Sequence, residues 1–78
     1  MDRQGMVVEL ERLLELQTGF LSESMRLAQI PNWDSMQALS FILLVERTLH
    51  RVIDGAEVSR ARTVGDLLDG VFGAELRG

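Results

Sequence analysis

The fold of this chain is decided by residues 34–47, which read Asp-Ser-Met-Gln-Ala-Leu-Ser-Phe-Ile-Leu-Leu-Val-Glu-Arg. Asp34 is a favoured helix N-cap, and Gln37 three residues later completes a capping-box pattern. The apolar residues that follow recur with the period of an α-helix. Arg47 and Arg51, with His50, lie at the C-terminal end of this pattern, where the helix dipole favours positive charge. These features predict a helix from Asp34 to about His50–Arg51, the strongest helix of the chain.

The apolar residues of this helix fall into two groups, centred about 140° apart at 100° per residue. The larger group consists of Ala38, Phe41, Ile42, Val45 and Leu49, and the smaller one of Met36, Leu39 and Leu43. The pattern alone favours a central helix that is buried nearly all round, as small bundles permit. The other interpretation makes the smaller group an exposed surface on which a partner docks. Both interpretations remain open at the level of sequence.

Towards the N-terminus, the pattern predicts one helix and one long loop. The first helix is expected from about Asp2–Met6 to Gln17–Thr18, because Met6, Val7, Leu10, Leu13 and Leu14 share one face. Gly19 then follows, as is typical of a helix end. Residues 20–33 lack a sustained period and include Pro31, which biases Ile30 away from helix. We expect an ordered loop here, pinned by Phe20, Leu21, Leu27, Ile30 and Trp33.

Towards the C-terminus, two shorter helices are expected. Gly55 interrupts the second helix pattern, and residues 56–61 allow one or two turns. Thr63 and Asp66 form a capping pair that opens a last helix, with Gly70 and Gly73 at its end. The sequence therefore predicts a small all-α four-helix bundle with a long first loop and a short third helix. We expect a single domain over residues 1–78, with an ordered core of about residues 5–72.

Composition argues against several classes of function. The chain has one histidine and no cysteine, which disfavours disulfides, a thiolate nucleophile and a His/Cys zinc site. Its net charge is −4 and every basic residue is an arginine, which disfavours nucleic-acid binding. No apolar run approaches the ~20 residues of a membrane span, and no secretory signal pattern precedes the first helix. We therefore expect a cytoplasmic protein without a membrane span.

The tetrapeptide at residues 33–36, Trp-Asp-Ser-Met, resembles a motif of acyl and peptidyl carrier proteins. In that family Asp-Ser-Leu or Asp-Ser-Met begins the second helix. The resemblance continues through the Ile-Leu-Leu-Val-Glu segment at residues 42–46 and through Ile53. Thr-Val at residues 63–64 and Asp-Leu-Leu at residues 66–68 resemble the start of the family's last helix. The likeness covers nearly the whole chain.

This resemblance implies that Ser35 carries 4′-phosphopantetheine, whose terminal thiol holds an acyl or aminoacyl group as a thioester. The chain would tether that group and deliver it between enzymes without being an enzyme itself. Asp34 and Met36 flank the attachment residue, and a helix N-terminus is a favourable place for a phosphodiester. The docking face that we expect consists of Met36, Leu39, Leu43 and Arg47.

The implied partners are a phosphopantetheinyl transferase, an adenylating or acyl-transferring loading enzyme, and downstream synthase or modifying enzymes. We expect the carrier to act as a monomer. Fatty-acid carriers have several carboxylates on the second helix, whereas here only Asp34 and Glu46 remain. The segment at residues 31–36, Pro-Asn-Trp-Asp-Ser-Met, looks more like stand-alone carriers of specialised polyketide or nonribosomal-peptide pathways. A dedicated loading enzyme is therefore expected instead of the fatty-acid enzymes.

Two other functions are weighed against this one. In the first, the chain is an interaction-only helical module, and Ser35 is an ordinary neighbour of the helix cap. In the second, Ser35 belongs to a small hydrolase, but the sequence offers no convincing base and orienting acid. His50 is interpreted as a helix-end cation or packing residue, and Trp33 as an anchor beneath Ser35. Plain core packing is favoured over an acyl-chain channel for Ile53, Val58 and Ala61.

Overall fold

Four α-helices follow one another in the computed structural model, which describes residues 1–73. They are α1 (Arg3–Leu13), α2 (Ser35–Leu49), α3 (Gly55–Arg60) and α4 (Val64–Phe72). The predicted all-α fold with a long first loop and a short third helix is therefore confirmed. The sequence-based expectations for residues 74–78, including fraying of the tail, lie outside the described range.

Each helix begins at a residue whose side-chain oxygen accepts a hydrogen bond from a backbone N–H of the first turn. These N-caps are Asp2, Asp34, Asp54 and Thr63. Thr63 and Asp66 form the full, reciprocal capping box that the sequence predicts. Gly73, with φ of 89°, ends α4. Gly70 was also expected at the helix end, but it lies inside α4 because the backbone reaches positive φ only at Gly73.

The C-terminal end of α1 differs from the prediction. The helix stops at Leu13, well before Gln17–Thr18, so the predicted boundary was wrong. Glu15 adopts a left-handed φ of 59°, and the Leu16 N–H donates to the Glu11 carbonyl at 2.8 Å. This is a Schellman motif with a glutamate where glycine is usual. The pattern of apolar residues continues past Leu13, but the Schellman motif has already ended the helix.

The long connection between α1 and α2 contains a single 3₁₀ turn at Leu27–Gln29. Three of its expected anchors are buried, namely Leu21, Leu27 and Ile30, and Trp33 packs partly against the core. Phe20 is 42% exposed, so the expectation that it pins the loop was wrong. Its two neighbours direct their N–H groups towards one buried carboxylate, and the side chain between them points outward.

Three backbone hydrogen bonds join this loop to the start of α4. They run from the Leu27 N–H to the Arg62 carbonyl (2.8 Å), from the Val64 N–H to the Met25 carbonyl (2.9 Å) and from the Gly65 N–H to the Glu23 carbonyl (2.8 Å). A Cβ atom on Gly65 would lie 3.1 Å from the Glu23 carbonyl oxygen. Glycine is therefore the residue that allows the loop to approach α4 this closely.

One hydrophobic core joins all four helices and the loop. Its buried residues are Met6, Val7, Leu10, Leu21, Leu27, Ile30, Phe41, Leu44, Val45, Ile53, Val58, Val64, Leu67, Leu68 and Val71. In the part of the chain that the structure describes, no helix has the length and apolar character needed to cross a membrane. The same residues hold no group of three or more His, Cys, Asp or Glu side chains that could bind a metal ion.

Candidate functional site

Asp34 starts α2 in the way that its sequence context predicts. Its backbone is extended, with φ of −152° and ψ of −173°, and its Oδ1 accepts a hydrogen bond from the Gln37 N–H at 3.0 Å. The Asp34 carbonyl accepts the first bond of the helix, from the Ala38 N–H, also at 3.0 Å. The reciprocal bond of a capping box, from the Asp34 N–H to the Gln37 side chain, does not form among residues 1–73. One carboxylate oxygen of Asp34 is therefore committed to holding the helix start.

Ser35 is the first residue of α2, and its side chain is exposed to solvent. Its Oγ has no hydrogen-bond partner among the described residues. The N–H groups of Ser35 and Met36 belong to the first turn and have no intrahelical partner. Together with the helix dipole, such groups favour a nearby anion. An accessible hydroxyl beside unpaired N–H donors fits a covalently attached phosphodiester.

The only histidine of the chain is far from Ser35. His50 is the C-cap of α2, so the two residues lie at opposite ends of the helix, about 22 Å apart along its axis. His50 adopts a left-handed φ of 56°, a conformation in which histidine is enriched among non-glycine residues, and its N–H donates to the Glu46 carbonyl. The geometry therefore offers no serine–histidine pair of the kind that a hydrolase would use.

The two apolar groups of α2 have different surroundings. Phe41 and Val45 of the larger group are fully buried, and Ala38, Ile42 and Leu49 pack against the core. In the smaller group the side chains are exposed, at 72% for Met36, 54% for Leu39 and 50% for Leu43. The interpretation that α2 is buried all round is therefore wrong. We call the exposed side chains of Met36, Leu39 and Leu43 the α2 ridge.

The remaining candidates lie in or beside the core. Trp33 is half-buried directly before the start of α2, and Ile53 and Val58 are buried. Ala61 packs against the same cluster. Arg51 was expected to act on the dipole of its own helix, but its guanidinium donates to the Val71 carbonyl in the last turn of α4. Arg47 is exposed one turn beyond the ridge residue Leu43.

Glu11 has a role that sequence reasoning missed. It is a charged residue outside the predicted apolar face of α1, yet it is only 1% exposed. Its Oε2 accepts hydrogen bonds from the Gly19 N–H at 3.0 Å and the Leu21 N–H at 2.9 Å. One signal could have indicated this burial, because Glu11 is four residues after Val7 and therefore shares its side of the helix. The carboxylate supports the loop that leads towards Ser35.

Arg3 is the centre of a second group that the sequence did not reveal. Its guanidinium binds both oxygens of Glu23, at 2.5 and 3.1 Å, and Asp69 Oδ1 at 3.1 Å. The hydrogen bond with Arg3 lowers the pKa of Glu23, and the same bond raises the pKa of Arg3. Arg3 lies four residues before Val7 on the core side of α1, which is the only hint in the sequence. The group links α1, the first loop and α4.

Asp66 lies beside this group at the start of α4. Its Oδ2 accepts hydrogen bonds from the N–H groups of Arg62 (2.9 Å) and Thr63 (3.1 Å). These bonds, that from Arg62 most strongly, lower the pKa of the Asp66 carboxyl. The carboxylate therefore acts as a structural cap, because it accepts hydrogen bonds from the backbone of the preceding turn.

Two neighbouring features thus make up the candidate site, namely the exposed hydroxyl of Ser35 and the α2 ridge that begins beside it. Both belong to one helix, and the buried side of that helix holds them in place. Comparison with known proteins identifies no relative of the chain, because no family model, no curated protein and no solved structure matches it.

Proposed function

We propose that this chain is a carrier protein in which Ser35 bears 4′-phosphopantetheine, and that it delivers an acyl or aminoacyl group between enzymes. One observation carries the proposal. Ser35 is solvent-exposed at the first position of α2, directly after an N-capping aspartate, in a Trp-Asp-Ser-Met context that resembles the carrier family. The exposed hydroxyl is accessible to a modifying enzyme, and the α2 ridge beside it offers that enzyme an apolar surface.

The attachment is a transfer from coenzyme A catalysed by a phosphopantetheinyl transferase. The Ser35 oxygen forms a bond to the phosphorus that carries pantetheine, and the bond from that phosphorus to adenosine 3′,5′-bisphosphate breaks. The hydroxyl proton leaves to a base of the transferase or to solvent. The attached group supplies a thiol that this chain, without cysteine, lacks.

The residues of the chain hold and present the attachment point. Asp34 fixes the first turn by capping the Gln37 N–H, so that the Ser35 side chain is directed from a rigid helix start. The unpaired first-turn N–H groups favour the phosphodiester charge. Met36, Leu39 and Leu43 then offer an exposed apolar surface to the enzymes that handle the cargo.

We further propose that the partners are the transferase, a dedicated adenylating or acyl-transferring loading enzyme, and downstream synthase or modifying enzymes. The carrier would act as a cytoplasmic monomer in a specialised polyketide or nonribosomal-peptide pathway or in a fatty-acid-like one. The low number of carboxylates on α2 favours the specialised pathways. The chain itself catalyses no step in this scheme.

Intact-mass measurement tests the attachment directly. After incubation with a broad-specificity phosphopantetheinyl transferase and coenzyme A, the wild-type mass should rise by one phosphopantetheinyl group. Ser35→Ala should abolish the rise, whereas Ser40→Ala on the same helix should retain it. Circular dichroism of both variants checks that α2 is still folded. An unchanged wild-type mass with a competent transferase would refute the carrier function.

The exposed α2 ridge also supports a second candidate, an interaction-only helical module without a prosthetic group. Its apolar surface exists whether or not Ser35 is modified. The same mass experiment separates the two functions, because the module predicts no gain of mass in the wild-type chain.

A further inference from the structure

The α2 ridge has a direction along the helix. At 100° and 1.5 Å per residue, Met36, Leu39 and Leu43 form a line that extends from the first turn towards the C-terminal end of α2. Arg47 is four residues after Leu43 and continues that line. Ser35 therefore lies at one end of the surface and Arg47 at the other, about 18 Å apart along the axis.

Arg47 has no carboxylate partner among residues 1–73. Its side chain is exposed and forms no ion pair with any of the described residues. The residues three and four positions away on α2 are Leu43, Leu44, His50 and Arg51, so none of its helical neighbours is acidic. Glu46 is adjacent in sequence and does not face it. Within the described part of the chain, the positive charge beside the ridge is thus unpaired.

Three other arginines, Arg3, Arg12 and Arg51, have partners within the chain. Arg3 binds Glu23 and Asp69, and Arg12 lies 3.7 Å from Glu9. Arg51 donates to a backbone carbonyl. Arg47 is exposed, forms no ion pair among residues 1–73 and lies one turn from the ridge residue Leu43. A partner that extends over Arg47 must either pair with this charge or remove it from water unpaired, which is costly.

We infer that the protein surface that docks on the α2 ridge places apolar side chains over Leu39 and Leu43 and a carboxylate opposite Arg47. A planar guanidinium matches a carboxylate with two parallel hydrogen bonds. This contact needs a negatively charged group on the partner, whereas the net charge of −4 favours positively charged partners for the chain as a whole. The inference rests on the proposed function, because it names the partner chemistry of the same docking surface.

Two synthetic amphipathic peptides test the inference on the unmodified chain. They share one leucine face and differ only in whether Glu or Lys flanks that face, two residues of similar helix propensity. Binding is measured by fluorescence anisotropy of labelled peptide at physiological ionic strength, where charges beyond about 8 Å are screened. The wild-type chain should bind the Glu peptide about two- to fivefold more tightly, as expected of one exposed ion pair.

Variants assign the preference to Arg47. Arg47→Glu should reverse the preference, whereas Arg60→Glu, an equal charge change on α3, should leave it unchanged. Leu43→Ala should weaken the binding of both peptides. The inference is overturned if the Lys peptide binds the wild type equally well or better, if the two charge variants behave alike, or if neither peptide binds at millimolar concentration.

These outcomes are independent of the mass experiment. A chain that accepts phosphopantetheine but shows no charge preference retains the proposed function and loses this inference. A chain that prefers the Glu peptide but gains no mass retains the docking surface and loses the carrier function.

Discussion

Two backbone N–H groups of the first loop depend on a single carboxylate, that of Glu11. The Gly19 and Leu21 donors both point at its Oε2, and the Leu21 bond is buried. A buried donor without a partner costs free energy because it has left water without replacing its hydrogen bond. Glu11 therefore contributes to stability through the loop, although it belongs to α1.

Replacing Glu11 by alanine should lower the free energy of unfolding by about 2 kcal/mol, since each orphaned donor costs about 1–3 kcal/mol when it stays dry. Glu9→Ala, the same change on the same helix, should cost no more than about 0.5 kcal/mol. Urea denaturation of both variants measures the difference. Equal losses for Glu11→Ala and Glu9→Ala would show that the buried carboxylate has no special role.

Two glycines of α4 should respond to replacement by alanine in opposite directions. A Cβ on Gly65 would meet the Glu23 carbonyl oxygen at 3.1 Å, whereas a Cβ on Gly70 would meet only the end of the flexible Glu57 side chain, at 3.2 Å. Gly65→Ala should therefore destabilise the fold by about 1–2 kcal/mol through crowding of the loop backbone. Gly70→Ala should stabilise it by about 0.5–1 kcal/mol, because alanine loses less entropy in a helix.

Thermal or urea unfolding of these two variants gives the sign of each effect. If both substitutions stabilise the protein, the close approach of the loop to α4 does not require glycine at position 65.

At the scale of the element, α2 combines a buried side and an exposed apolar side in one helix. The neighbours Leu43 and Leu44 illustrate the division, since Leu44 is 5% exposed and Leu43 is 50% exposed. Successive residues of a helix point about 100° apart, so adjacent leucines can serve opposite purposes. The buried side fixes the orientation of the helix, and with it the direction in which Ser35 and the ridge face.

Leu44→Ala should destabilise the protein by about 2–5 kcal/mol, because it leaves a cavity in the core. Leu43→Ala should cost less than about 1 kcal/mol, since that side chain is already half in water. Urea denaturation measures both values, and circular dichroism confirms that the Leu43 variant keeps its helices. Similar destabilisation by the two changes would contradict the assignment of Leu43 to the exposed ridge.

At the scale of the whole molecule, contacts with α1 and with α4 hold the first loop against the bundle. Arg3 of α1 binds Glu23 of the loop and Asp69 of α4, and the Glu23 carbonyl accepts from Gly65. These contacts join segments up to 66 residues apart in sequence. They keep the loop, and hence the start of α2, in a constant position relative to the rest of the bundle.

Because of the Arg3 contacts, the free energy of unfolding should depend on pH in the acid range. The pKa of Glu23 is depressed by Arg3, so its contribution is present above the ordinary value of 4.5 and is lost as pH falls through the folded-state pKa. Arg3→Leu should lower stability at pH 7 by no more than about 1 kcal/mol, because the pair is partly exposed and screened.

The stability difference between the wild type and Arg3→Leu should shrink as pH falls below 4.5 and Glu23 becomes protonated in both states. Urea denaturation at several pH values between 7 and 2 measures this difference. Arg12→Leu serves as the control, because Arg12 is the exposed arginine of the same helix. A difference that stays constant across this range would mean that Arg3 acts through packing instead of charge.

The sequence by itself determined the features that depend on residues a few positions apart. The start of α2 at Asp34 follows from a bond that spans three residues, and so does the capping box that opens α4. The position of Ser35 at the first turn comes from the same local chemistry. Such contacts form within one turn of helix, so their residue types can be recognised without knowing the rest of the fold.

Only the tertiary structure decided which apolar group of α2 faces the core, because both groups have helical spacing and the choice depends on where the other elements pack. The burial of Glu11 belongs to the same class, since the loop that returns to Glu11 supplies the donors. The need for glycine at position 65 likewise arises from the Glu23 backbone, 42 residues earlier in the chain. Each of these features results from a meeting of distant segments, and helical periodicity contains no information about such meetings.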